Sequence, residues 1–270
     1  ADSLGNLGGR GDAGAAARRA ALRQCYAGPV LRLAVLMPVY EEGERLGSTL
    51  LELDERFARD GHHATVFLVD DGSRLRPVDA DALPRRASLR IVLARHPVNL
   101  GQGAAIETAR RLALREKWSG AAFDAYVTMD SDGQHRPDDA IALARAIEAG
   151  ADVALGDRFA GDSNVPFARR ILLQLARIFE RWTTGLVLSD AHNGLRAFSP
   201  RAIVKMRLRQ NRMAHATEMT RRISDAKLKL VEVPVSVRYT AETLAKGQSA
   251  GGAVSILVDL FQGFLFGSPD

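Results

Sequence analysis

Cysteine is nearly missing from this chain. Among 270 residues only Cys25 occurs, so no disulfide can close within it and no thiolate metal cluster can be built. A reducing compartment, the cytoplasm, is expected. Aromatic residues make up only 6%, and the basic residues are scattered along the chain, which argues against a nucleic-acid partner. No apolar run reaches the ~18–20 residues that a bilayer-spanning helix needs. A signal peptide is not expected either, because Arg18, Arg19 and Arg23 break up the alanines of residues 13–23 and leave no hydrophobic centre. The absences together predict a soluble protein, or one lying peripherally on the cytoplasmic face of a membrane.

Apolar residues, by contrast, reach 46%, enough for a sizeable core. The formal charge of +5 suits anionic partners such as nucleotides, phosphates or an acidic membrane surface. Residues 1–28 are rich in Gly, Ala and Arg and read as a flexible arm. Residues 29–249 carry the pattern of one folded domain. Residues 250–270 form an amphipathic end, in which Ile256, Leu257, Leu260, Phe261, Phe264 and Leu265 gather around Asp259 and Gln262. That segment fits a core helix, a homo-oligomer contact or a helix lying in the lipid interface.

Within the domain, short apolar runs at 31–39, 64–69, 89–94, 125–129 and 152–155 alternate with helical patterns at 44–59, 103–117 and 137–148. This alternation predicts an α/β fold with a mostly parallel sheet covered on both faces. Further on, 167–184 and 213–224 read as helices and 190–198 as a polar loop. Residues 230–239 alternate valines with polar residues around Pro234, as a half-exposed edge strand does. Each early strand ends in a polar or glycine-containing stretch. Ligands of open α/β sheets sit beyond the carboxyl ends of the strands, so these stretches should converge on one crevice.

Asp130-Ser131-Asp132-Gly133-Gln134 places two carboxylates two positions apart at the fourth strand end. Hard oxygen ligands of this kind suit Mg²⁺ or Mn²⁺ with positions left for diphosphate oxygens. The alternative is an Asx-rich turn capping the helix that starts near Pro137. Asp70-Asp71-Gly72-Ser73 and Pro38-Val39-Tyr40-Glu41-Glu42 supply carboxylates able to accept hydrogen bonds from a nucleobase and ribose. Asn99-Leu100-Gly101-Gln102-Gly103 opens a helix and lets backbone approach a ligand. A dinucleotide-binding oxidoreductase would need glycines after the first strand, where Pro38 and Tyr40 stand.

In this order the motifs resemble those of family 2 glycosyltransferases, and most nearly the dolichol-phosphate mannosyltransferase and polyprenyl-phosphate hexosyltransferase branch. Gly156-Asp157-Arg158-Phe159, His192-Asn193-Gly194-Leu195-Arg196 and Lys246-Gly247-Gln248-Ser249 extend the match. The resemblance implies a GT-A fold, a nucleotide-sugar donor (a UDP- or GDP-hexose) and a polyprenyl phosphate acceptor. It implies that Pro38, Tyr40, Glu42, Asp70 and Asp71 line the nucleoside pocket, and that Asp130 and Ser131 contact ribose and diphosphate. Asp132 and Gln134 would hold the metal. Arg158 would face the diphosphate and acceptor phosphate, joined by Arg169 or Arg170, with Arg196 in support and Lys246 on the acceptor side. The chain departs from the pattern at Gln102, where members often have lysine, and at Ala250, where a basic residue often follows.

A phosphate acceptor is already a nucleophile at neutral pH, so an inverting displacement onto it needs positioning cations more than a base. A hydroxyl acceptor would need one. Glu218 is then the candidate, with Asp190 behind it.

Overall fold

Every residue from Leu33 to Val39 is apolar and buried, the pattern of a strand covered on both faces. In the computed structural model, which describes residues 28–116, 120, 122–160, 181, 184–190, 193–210 and 214–238, this run is the central strand β1, Arg32–Val39. It pairs in parallel with β2 (His63–Asp70) on one side and β4 (Ala125–Thr128) on the other, and β3 (Leu89–Arg95) adds in parallel beyond β2. The sheet continues through β6 (Arg196–Phe198), β5 (Val153–Asp157) and β7 (Leu230–Pro234), giving the order β3-β2-β1-β4-β6-β5-β7. β6 is antiparallel to both of its neighbours.

Apolar side chains alternate between two cores. Leu33, Val35 and Met37 face α1 (Gly43–Arg59) and α3 (Pro137–Glu148), meeting Leu50, Leu53, Phe57 and Ile141. Ala34 and Leu36 face the opposite way, toward α2 (Gln102–Arg115), α4 (Pro200–Lys205) and α5 (Ala214–Asp225), through Ala105, Ala109, Ile203 and Met219. On that side the Phe67, Phe123 and Tyr126 rings meet edge to face, with centroids 5.9 and 5.8 Å apart.

The expected strands and early helices form within one or two residues of the patterns that announce them. The edge strand around Pro234 is β7, and Pro234 ends it where a ladder donor is no longer needed. The polar loop expected over 190–198 is corrected in part: its last three residues are β6, wedged between β4 and β5. α4 was not expected at all. Ser199 caps it, its Oγ accepting from the Ala202 N–H at 3.2 Å, and Pro200 occupies the first turn where its missing N–H costs nothing. The N-terminal arm, most of the 167–184 helix, and the 254–266 segment lie outside the described residues.

Candidate active site

The parallel strands β1 to β4 deliver their carboxyl ends to one edge of the sheet. There Pro38, Tyr40, Glu42, Asp71, Asn99, Gln102, Asp130, Ser131 and Asp132 line a cleft of about 440 Å³, within the range of small-molecule sites. Most of the expected nucleoside and diphosphate residues are therefore brought together.

Asp71 organises the rim. Its Oδ1 accepts from the Leu100 N–H at 3.0 Å and its Oδ2 from the Gly101 N–H at 2.7 Å. His96 Nδ1 lies 2.7 Å from the same Oδ1, while His96 Nε2 meets Thr108 Oγ1 at 2.9 Å. Gly72, at φ +75°, lets the β2 exit pass beside Val98, where an added Cβ would come within 2.4 Å of backbone.

Asp70, expected in the nucleoside pocket, is not among the cleft residues. Neighbouring side chains leave a strand on opposite faces, so only one of the two aspartates can face the cleft. Asp70 is fully buried and accepts from the Ser73 N–H (2.9 Å), the Val78 N–H (3.1 Å) and Arg95 Nε (3.0 Å). Burial works against its charge, but those hydrogen bonds and Arg95 hold its pKa below the ordinary carboxylate value.

Asp130 and Asp132 face the cleft with opposite electrostatic fates. Asp130 Oδ1 accepts from Gln102 Nε2 at 2.9 Å, and His135 Nε2 lies 3.2 Å from Oδ2. Burial disfavours its charge, yet the His135 hydrogen bond and the charges of His135, His215 and Arg196 bring its pKa down. Asp132 is pushed up, first by burial and then by the neighbouring Asp130 carboxylate. Its two oxygens accept from the Gln134 N–H (3.1 Å) and Gln134 Nε2 (2.6 Å). Gln134 thus orients Asp132. Thr49 Oγ1 donates to the Ser131 carbonyl at 3.2 Å, and the Arg238 N–H to the Gln134 carbonyl at 3.0 Å, so the loop is tied from both sides.

The donor chemistry here fits a hard divalent cation. Asp130 and Asp132 present carboxylate oxygens to the cleft, and their mutual repulsion, which raises the Asp132 pKa, is what a dication would relieve.

Arg158 and Arg196 are buried and do not line the cleft. Arg158 Nε donates to Asp190 Oδ2 at 2.5 Å, and its N–H reaches the same oxygen at 3.2 Å. Arg196 Nε donates to the Asn193 carbonyl at 2.9 Å. Glu218, the candidate base, is instead a brace: it accepts from the Arg209 and Gln210 N–H groups at 2.8 Å each, and from Arg222 Nη2 at 2.7 Å. Arg169, Arg170 and Lys246 lie outside the described residues. His96, His135 and the Gln102–Asp130 contact had no assigned role in the sequence; their only signal was a place inside or beside the strand-end motifs.

A carboxylate-lined cleft at the strand ends of a largely parallel sheet, interrupted by one antiparallel strand, is the architecture of a GT-A nucleotide-sugar transferase. Residues 34–207 match the model of Glycosyl transferase family 2, and the chain belongs to that family. It is thus a glycosyltransferase. The chain is 28% identical over 240 residues to polyprenol monophosphomannose synthase of Mycolicibacterium smegmatis, covering 84% of each. It is also 28% identical over 231 residues to undecaprenyl-phosphate mannosyltransferase of Micrococcus luteus, covering 83% of this chain and 90% of that one. Among solved structures, glucosyl-3-phosphoglycerate synthase of Mycobacterium tuberculosis in complex with Mg²⁺ and uridine diphosphate shares the fold. Its TM-score is 0.58 at 14% identity, over 93% of this chain and 84% of that one.

Proposed function

We propose that this glycosyltransferase moves a hexose from a UDP- or GDP-sugar to the phosphate of a polyprenyl lipid, with inversion at the anomeric carbon. An acceptor phosphate oxygen forms the new bond to that carbon as the bond to the nucleoside diphosphate breaks, and the leaving group departs with the electron pair. Pro38, Tyr40, Glu42 and Asp71 hold the nucleoside, and Asp130 and Ser131 hold ribose and diphosphate. Asp132, oriented by Gln134, would hold Mg²⁺ or Mn²⁺, which offsets the charge gathering on the diphosphate. Arg169, Arg170 and Lys246 supply the cations for the acceptor phosphate, with Arg158 and Arg196, buried behind the cleft and fixed by Asp190 and Asn193, in a supporting role. The names of the two relatives support the lipid phosphate as acceptor, and their action on membrane lipids fits a peripheral location.

The observation that carries the phosphate acceptor is the engagement of Glu218: its carboxylate is filled by two backbone N–H groups and Arg222. A hydroxyl acceptor would need a base in reach. One observation favours that second reading, since Asp190 Oδ1 is buried with no partner among the described residues. Transfer of labelled sugar to a short polyprenyl phosphate, compared with the same polyprenol lacking phosphate, separates them. Transfer to the phosphate alone is expected, and equal transfer to both rejects the assignment. Asp132→Asn should abolish turnover with the melting temperature nearly unchanged, and donor affinity equal in Mg²⁺ and in chelator would reject the metal.

A further inference from the structure

The Asp71 carboxylate is held by a side chain as well as by backbone. The Leu100 N–H donates to Oδ1 at 3.0 Å and the Gly101 N–H to Oδ2 at 2.7 Å. His96 Nδ1 lies 2.7 Å from Oδ1. An ionised carboxylate can only accept, so Nδ1 carries the proton of that contact. From the other side Thr108 of α2 fixes the ring, its Oγ1 meeting Nε2 at 2.9 Å. The His96 N–H donates to the Asp70 carbonyl at 2.8 Å, which continues the pairing of β3 with β2. The buried imidazole is thus clamped between the exit of β3 and the flank of α2.

A carboxylate offers about four lone-pair sites. On Asp71 the protein fills two at Oδ1 and one at Oδ2, so among the described residues one acceptor site stays open, on Oδ2. Only 4% of this side chain is exposed, and it lines the cleft. A ligand there meets a single acceptor in a fixed direction. Leu100 and Gly101 could not fix that direction by themselves, because both belong to one turn and shift with it. His96 ties the same carboxylate to a strand and a helix, which are more rigid supports.

We propose that His96 is a positioning residue of the nucleoside pocket: it aims Asp71 so that Oδ2 takes one N–H from the base of the donor nucleotide. This rests on the reading of Asp71 as a nucleoside contact. The chemistry that fits is an imide N–H, which uracil and guanine both carry. Cytosine has a lone pair at the corresponding nitrogen, and that lone pair would face a carboxylate held as an acceptor.

Asparagine places its Nδ2 where histidine has Nδ1, whereas glutamine reaches the Nε2 position. His96→Asn therefore keeps the bond to Asp71 and loses the one to Thr108, and His96→Gln does the reverse. Each sheds one hydrogen bond, so the two variants should melt within a few degrees of each other. Calorimetric titration with UDP, GDP and CDP in Mg²⁺ tells them apart. For whichever of UDP and GDP the wild type binds more tightly, His96→Asn should stay within about threefold and His96→Gln should lose about tenfold. Preference over CDP should shrink in His96→Gln alone. In turnover the loss should fall on the donor KM with kcat little changed, as for a contact present equally in ground and transition states. Equal affinities in the two variants, or a loss confined to kcat, overturns the proposal.

Asp71→Ala/His96→Gln should bind no worse than Asp71→Ala; losses that multiply would mean that His96 acts through the fold and not through Asp71. Should His96→Gln fail to fold, the wild-type protein decides. Proton–nitrogen correlation spectra of its imidazoles should show a proton on His96 Nδ1, and a bare Nδ1 overturns the proposal. Wild-type affinity for UDP and GDP in Asp71→Ala would sink the nucleoside reading, and the role of His96 with it. Lost affinity in Asp71→Ala with none lost in His96→Gln would remove the role of His96 alone.

Discussion

Gly194 lies against Asp130 so closely that a Cβ at residue 194 would sit 2.5 Å from Asp130 Oδ2. The contact falls on the far end of a side chain, so the fold can survive a methyl group there by moving the carboxylate. Gly194→Ala should therefore leave the circular dichroism spectrum and melting temperature close to wild type. Donor affinity should fall roughly tenfold, because Asp130 would leave its hydrogen bonds to Gln102 and His135. Calorimetric titration of the donor checks this, and unchanged affinity would mean that Asp130 does not touch it.

Adjacent aspartates should fail in different ways. Asp70→Ala strands the Ser73 and Val78 N–H groups and breaks the pair with Arg95, costing on the order of 2–4 kcal/mol of stability. Its KM for donor should change little in whatever fraction folds. Asp71→Ala releases Leu100 and Gly101 and should raise the donor KM about tenfold or more with a smaller stability loss. Urea denaturation beside steady-state kinetics distinguishes the two.

Glu218→Gln should lower stability by roughly 1–2 kcal/mol, because an amide cannot accept from Arg209, Gln210 and Arg222 together. Transfer to a phosphate acceptor should nonetheless stay within a few-fold of wild type at a temperature where both proteins are folded. A loss of about 10²–10⁴ with normal donor binding would instead give Glu218 the base role.

The pH dependence of stability should carry a signature of Asp139. Burial raises its pKa to about 6, while the Ser236 N–H, donating to Oδ2 at 2.8 Å, opposes the rise. Between its ordinary value and about 6 the unfolded chain has lost this proton and the folded chain still binds it. Stability contributed by this group is thus complete below pH ~4 and is lost as pH rises toward 6, on the order of 3 kcal/mol in all. Asp139→Asn keeps an acceptor for Ser236 and cannot ionise. It should melt about 5 °C above wild type at pH 7.5, and the two should converge at pH 4. Parallel melting curves across this range would contradict the assignment.

Strand positions were legible because a parallel strand covered on both faces leaves an uninterrupted apolar run, as in residues 33–39 and 66–69. β6 was not, because three residues carrying Arg196 at one end make no run, and only the gap between β4 and β5 makes them a strand. The cleft was legible as a convergence of strand-end motifs. Which of two neighbouring carboxylates faces it was not: Asp70 and Asp71 differ only in strand parity, and parity depends on where the strand stops. Glu218 shows the same limit from another side, since its partners Arg209 and Gln210 belong to a turn with no pattern of its own.

The insertion of β6 also governs the order in which this sheet can be assembled. β4 and β5 finish near residues 128 and 157, but neither pairs with the other; each waits for residues 196–198 to fill the space between them. Until then a growing chain carries two unsatisfied strand edges, with Val127 and Ala154 among the side chains that the finished core buries completely. These pairings join residues some forty to seventy positions apart, so their loop-closure entropy must be met before any ladder forms. Chains cut between β5 and β6 should consequently aggregate rather than persist as a smaller folded unit, and the slow step of refolding should be the docking of three residues.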